Sequence, residues 1–338
     1  MSRRQGILAG GNWIVDNLKV VDTYPQQDAL ANILSETIGN GGSPFNVLVD
    51  LARLGASFPL AGIGLVGADA DGRWIHEQCD AHGIDRTRLP CVEGVPTSYT
   101  DVMTVQSTGR RTFFHQRGAN ALLDGPHFSF DEIEARIFHL GYLLLLDRLD
   151  LPDAEFGTAA ARVLHRAREA GCKTSLDVVS EDSHRFAAIV RPSLRYADYC
   201  ILNEFEVERT TGLPTRPTGT IDLPAIQAAS TKLLDDGVRE WVIVHFPEGA
   251  CALGRDGKFR VQASVDVPQS AIVSSVGAGD AFAAGVLYAL HEEQSIEEAL
   301  LLGTTAAASS LFGAAPSDGI QSAKDCLELP GRLGLRKI

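Results

Sequence analysis

The segment Ser275-Val276-Gly277-Ala278-Gly279-Asp280-Ala281-Phe282 sets two glycines, a small residue and an acid at the opening of an apolar helix. A helix start leaves several backbone N–H groups without partners and carries partial positive charge. Glycines let an anion approach that backbone closely. Asp280 is then both a helix-start residue and a carboxylate beside an anion site. A plain capped helix uses the same residue types. Asn203-Glu204-Phe205-Glu206 is a second candidate. Alone it reads as a helix start, with Asn at the cap and Glu in the first turn. A third stretch, Gly62-Ile63-Gly64-Leu65-Val66-Gly67, satisfies the G-x-G-x-x-G pattern of a dinucleotide-binding turn. That motif is weak by itself. Ala68–Gly72 separates it from the next helix, and no strand ending in an acid follows about 20 residues on, where a ribose partner belongs.

The elements that must carry these residues follow from periodicity. Ile7–Val15, Pro59–Val66, Ile137–Leu146, Thr174–Val179, Tyr199–Leu202 and Trp241–His245 read as strands. Pro44–Leu54, Asp71–His82, Ala154–Ala170, Glu204–Thr211, Ile226–Asp235, Ala278–His291 and Ile296–Leu311 read as helices. Thr97–Val105 and Arg111–His115, joined by Ser107–Arg110, form a hairpin signal. From about residue 135 strands and helices alternate, which predicts a parallel sheet with helices on both faces. The hairpin and the segment around Asp16–Leu34 stand outside that pattern and suit a small sheet covering a cleft. The expected organisation is one α/β domain over residues 1–338, with a lid from about 13–36 and 96–119.

The 338 residues include 30 Lys and Arg against 43 Asp and Glu, a formal net charge of −13. A chain this acidic does not fit a broad basic face for nucleic acid. The longest apolar run, about Leu140–Leu146, is far below the ~20 residues of a membrane helix. Met1–Gln5 is basic, and no apolar signal region follows it. The six cysteines include no C-x-x-C pair, which reads as free thiols in a reducing compartment, hence a cytoplasmic protein.

The Gly277–Asp280 segment closely resembles the C-terminal signature of the ribokinase-like (PfkB) carbohydrate kinases. Gly41-Gly42-Ser43-Pro44-Phe45-Asn46 with Ala52-Arg53-Leu54-Gly55 is similar to the N-terminal signature, and Asn203–Glu206 to the N-x-x-E motif. Gly118-Ala119-Asn120 resembles the stretch that ends the lid. The matches keep the family's order and run from Gly11 to about Ala314.

The resemblance implies a three-layer fold, ATP-dependent phosphorylation of a small sugar, and roles for particular residues. Asp280 would be the general base, and the amides of Gly277, Ala278 and Gly279 an anion hole. Asp16, Gly41, Gly42 and Asn46 would meet the sugar. Arg117, between the hairpin and Gly118, could reach a carboxylate, phosphate or hydroxyl of the substrate, though a solvated arginine is the commoner case for its type. Arg110 and Arg111 read as turn and strand-edge charges. Asn203, His245 and Gly249 would lie on the ATP side, and Asn203 and Glu206 would hold Mg²⁺ through water. Open lid edges offer a route to a homodimer.

Three departures stand out. Ser274-Ser275 replace a common Asp-Thr, which removes a residue that holds a monovalent cation in ribokinases. His245-Phe246-Pro247 replace a Thr-x-Gly that touches nucleotide. Val178-Val179-Ser180 follow Asp177 where family members often carry Asn and Arg. A nucleoside kinase and a catalytically silent sugar-binding protein of the same fold are the competing readings, alongside the dinucleotide-binding dehydrogenase.

Overall fold

The computed structural model describes residues 4–338. Met1–Arg3 of the basic start lie outside the described residues.

Among the described residues a nine-stranded sheet runs through the molecule. Its strands are β1 (Ile7–Gly11), β4 (Leu60–Ile63), β5 (Ile84–Arg88), β8 (Ile137–Leu143), β9 (Lys173–Val178), β10 (Tyr199–Asn203), β11 (Trp241–Phe246), β12 (Gly249–Gly254) and β13 (Phe259–Ala263). The spatial order is β13-β12-β11-β10-β9-β8-β1-β4-β5. The pairs from β11 through β5 are parallel, and β12 and β13 are antiparallel additions at one edge. A separate four-stranded sheet holds β2 (Ile14–Val21), β3 (Ile33–Gly41), β6 (Ser98–Val105) and β7 (Arg111–Gln116), in the order β3-β2-β6-β7.

Alternation along the buried strands builds two cores. On one face, Leu8, Phe138, Leu140, Cys200, Val242 and Val244 pack with α3 (Ala159–Glu169), α4 (Phe186–Leu194), α5 (Glu204–Thr211) and α6 (Leu223–Asp235). On the other, Ile7, Ala9, Ile137, Ile201 and Ile243 pack with α1 (Ser43–Leu54), α2 (Ala70–Ala81), α7 (Ala278–His291), α8 (Ile296–Ser310) and α9 (Ala323–Leu333). Near-continuous apolar strands such as Cys200–Leu202 are what a sheet covered on both faces requires. No helix among the described residues is long and apolar enough to cross a membrane, and all six cysteines are free.

Several elements differ from the sequence expectation. Ile7–Val15 is two strands in two sheets, because the chain turns at Asn12 and buries Trp13 completely. The helix expected from Ala154 begins at Ala159. Thr158 caps it by accepting the Ala161 N–H at 3.2 Å, and the Asp153 carboxylate holds Glu155 and Phe156 in a turn ahead of it. Helix α4, with Pro192 inside it, and the strands β12 and β13 had no counterpart in the periodicity.

The G-x-G-x-x-G stretch has a packing explanation. The Trp13 indole lies across Gly62 and Gly64, and its N–H donates to the Ile63 carbonyl at 2.9 Å. A Cβ on either glycine would fall inside the ring. Gly67 meets the backbone of residues 95–97 in the same way. These glycines make room for the chain itself, not for a pyrophosphate.

Gly64→Ala therefore overpacks the Trp13 site and is expected to lower unfolding free energy by about 1–3 kcal/mol. Urea denaturation checks this; an unchanged midpoint would refute the packing account.

Candidate active site

The carboxyl ends of adjacent parallel strands converge on one cleft, the usual location for ligands in such sheets. Asn12 follows β1, Tyr142 stands near the end of β8, Asp177 near the end of β9, and Asn203 ends β10. His245 is close to the end of β11. The small sheet and the start of α7 complete a cavity of about 430 Å³.

Asp280 lies in the first turn of α7 and is 6% exposed. Gly277 caps that helix with φ 79°, a left-handed conformation that suits glycine, and a Cβ there would meet Pro316. The N–H groups of the first turn have no intrahelical acceptor, and Gly277, Ala278 and Gly279 line the cavity.

Two donors hold the Asp280 carboxyl. The Asn46 amide donates to Oδ2 at 2.8 Å, and the Tyr142 hydroxyl lies 2.7 Å from both oxygens. Each donor is itself oriented. Asn40 donates to the Asn46 carbonyl oxygen at 2.7 Å, which turns the Asn46 NH₂ toward Asp280. The Tyr142 backbone N–H donates to Asn12 Oδ1 at 2.7 Å.

Burial, followed by the charge of Asp177, pushes the Asp280 pKa up to about 7, against the opposing pull of Asn46 and Tyr142. Asp16 sits across the cavity on β2. Burial and then Asp280 raise it to about 8, and the Thr100 hydroxyl offsets part of that. Gly41 leaves space for the Asp16 carboxyl, and Gly42 (φ 83°) starts α1 where a Cβ would strike the Asn12 carbonyl.

Asn203 and Glu206 form a reciprocal helix cap. The Glu206 N–H donates to Asn203 Oδ1 at 2.9 Å, and the Asn203 N–H donates to Glu206 Oε2 at 2.8 Å. Ser180, one of the residues that departs from the family pattern, donates to Glu206 Oε1 at 2.7 Å. Burial lifts Glu206 to about 8. This cap also lines the cavity. Beside it, Ser43 donates to Asp177 Oδ2 at 2.7 Å, and His139 lies 2.9 Å from the Ser43 hydroxyl. Asp177 Oδ1 is buried with no partner among the described residues. Burial lowers both His245 and His115 to about 4, so both are neutral at pH 7.

Asp16, Gly42, Asn46, Asn203, Glu206, His245 and Gly277–Asp280 thus meet in one cavity. Three expected residues do not line it. Gly41 backs onto Asp16. Arg117 turns to Asp147 at 3.5 Å. Gly249 pairs with Phe246 in the sheet and abuts Ile338. Tyr142, Asp177 and Arg111 line the cavity without having been singled out as site residues. Their only signal was position, near the end of a buried strand for the first two and on a hairpin strand for the third.

A family model described as pfkB family carbohydrate kinase matches residues 15–320. The chain belongs to that family. A ribokinase of Arabidopsis thaliana is 30% identical over 281 residues, covering 82% of this chain and 69% of that one. A fructokinase of Escherichia coli is 29% identical over 273 residues, covering 78% and 82%. The solved structure of Arabidopsis thaliana ribokinase complexed with ribose and ATP has a TM-score of 0.77 at 24% identity, covering 96% of this chain and 98% of that one. The chain has the ribokinase fold and is an ATP-dependent carbohydrate kinase.

Asp16, Glu206 and Asp280 keep protons in the folded chain at pH values where the unfolded chain has lost them. At these three groups the unfolded state binds fewer protons between about pH 4 and pH 8, so their contribution to stability falls as pH rises, while His115 and His245 act in the opposite sense between about pH 4 and pH 6.5. Asp16→Asn is expected to shrink the loss between about pH 5 and about pH 8.5 by about 1–3 kcal/mol. Denaturant titration at both pH values measures it; an unaltered loss would contradict the burial of this acid.

Proposed function

We propose that this chain transfers the γ-phosphoryl group of ATP to a hydroxyl of a small sugar or sugar derivative. Asp280 is the base, and the Gly277, Ala278 and Gly279 amides are the anion hole. The carrying observation is one buried carboxyl, with a pKa of about 7, that shares a cavity with a free helix start and with Asp16 and Asn46.

The acceptor lies between α1 and the small sheet, hydrogen-bonded by Asp16 and Asn46 and close to the Gly42 backbone. The small sheet acts as a lid. The acceptor hydroxyl takes a place at the Asp280 carboxylate now shared with the Tyr142 phenol. As its oxygen bonds to the γ-phosphorus, its proton passes to Asp280, the bond from that phosphorus to the β-γ bridging oxygen breaks, and ADP leaves. Positioning and electrostatics dominate such transfers, so the amides at the start of α7 count as much as the base. Asn203, Glu206 and His245 face the donor side.

The donor set suits Mg²⁺, which prefers oxygen ligands and takes one or two carboxylates with phosphate oxygens. Glu206 is a buried carboxyl at the cavity wall, and Asp177 Oδ1 is buried without a partner among the described residues. These two, with Asn203, would hold the ion, Asn203 and Glu206 through water since their cap occupies their oxygens, and the ion when bound would neutralise phosphate charge. The silent sugar-binding alternative leaves the Gly277–Asp280 run at the cavity wall without a use.

Two outcomes are expected. Asp280→Asn lowers sugar-dependent ADP formation by about 10²–10⁴-fold while Mg-ATP still binds; a turnover near the parent's would defeat the base assignment. Tyr142→Phe removes a donor that favours the ionised carboxyl, so the rise of kcat/KM with pH moves about one unit higher. A profile that stays in place would separate Tyr142 from the base.

A further inference from the structure

We propose that Arg111 is the phosphate clamp of the lid, closing its guanidinium on the anionic oxygens of the phosphoryl donor. This rests on the kinase reading above and adds a residue to it.

Charge gives the first argument. The cavity is lined by four carboxyl groups, those of Asp16, Asp177, Glu206 and Asp280. His115 and His245 are kept neutral by burial. Among the described residues Arg111 is the one lysine or arginine in that lining. A nucleotide triphosphate brings further negative charge, and apart from the Mg²⁺ proposed above Arg111 is the cation that the lining offers it.

The second argument is the state of the side chain. Lys19 is neutralised by Asp101 and Glu36, and Arg117 by Asp147. Arg110 is exposed on the turn. Arg111 takes no ion pair or side-chain hydrogen bond among the described residues, and burial alone acts on its pKa, downward. Guanidinium stays charged under such conditions and offers a planar fork that fits phosphate oxygens.

Register gives the third. On β7, Arg111, Phe113 and His115 share the face toward the cavity. His115 stands opposite Thr100, which stands opposite Asp16; this is the acceptor row. Phe113 stands opposite Val102, and Val102 and Leu18 pack on Val276 and Ala315. Arg111 lies two residues further, about 13 Å along the strand from His115 at ~3.3 Å per residue. That direction leads from the acceptor residues toward the loop that enters Gly277, where transferred phosphate must sit.

The test uses the full chain with Mg-ATP and two kinds of acceptor, neutral sugars and sugars bearing a carboxylate or phosphate. Wild-type sugar-dependent ADP formation is measured first; its absence with every acceptor would defeat the kinase reading itself. With a neutral acceptor, Arg111→Ala is expected to lower kcat by about 10²-fold, the scale of losing one preorganised stabilising donor. The acceptor KM should change by less than about threefold, and Arg111→Lys should recover part of the rate. Titration of a non-hydrolysable ATP analogue with Mg²⁺ should show weaker binding to Arg111→Ala, with adenosine binding unaltered. An unchanged kcat and unchanged analogue affinity overturn the proposal. So does a loss confined to acidic acceptors, which would place the guanidinium on the acceptor instead.

Discussion

A carboxyl group buried at a helix start must be held by donors that tolerate its ionisation, or it stays protonated and inert. At Asp280 the donors come from two other elements, Asn46 on α1 and Tyr142 on β8. The geometry of the cavity depends on bringing those elements to α7. Helix α1 packs on the same face of the sheet as α7, and Phe282, buried just after Asp280, anchors the α7 start against Gly303 of α8. The contacts that build the core therefore also set the position of the carboxyl to within a hydrogen bond.

Parallel connectivity does the remaining gathering. The parallel strands of the nine-stranded sheet all end on the same side, so single polar residues far apart in sequence arrive side by side. Asn12 holds Tyr142 across 130 positions, and Ser43 holds Asp177 across 134. The small sheet meets this edge from above. It brings Asp16 near enough to Asp280 for the Asp280 charge to raise the Asp16 pKa further.

What the sequence disclosed was whatever local pattern could encode. The helix start at Gly277–Asp280 and the cap at Asn203–Glu206 are short-range arrangements, and both stand where their residue types placed them. Asp16 and Asn46 were singled out through the family resemblance alone, and the structure sets both at the same cavity. Tyr142 and Asp177 were not, because an aromatic or acid near the end of an apolar strand looks like any strand terminus until its neighbours are known. Arg111 looked like a hairpin charge because its burial and its lack of an acidic partner are tertiary properties. Arg117 and Gly249 show the converse: Asp147 draws the first away, and sheet pairing absorbs the second. The split of Ile7–Val15 escaped notice because continuous apolar character hides a turn that only the burial of Trp13 explains.

The central claim is that one identified carboxyl, Asp280, deprotonates the acceptor. The most direct measurement follows its side-chain carbon by ¹³C NMR across pH in the free protein and compares that titration with the rise of kcat/KM, which reports the same ionisation in free enzyme. Both should fall near the raised value of about 7, within half a unit or so of each other. A carbon that titrates in the ordinary aspartate range, or more than about one unit from the kinetic transition, would contradict the account.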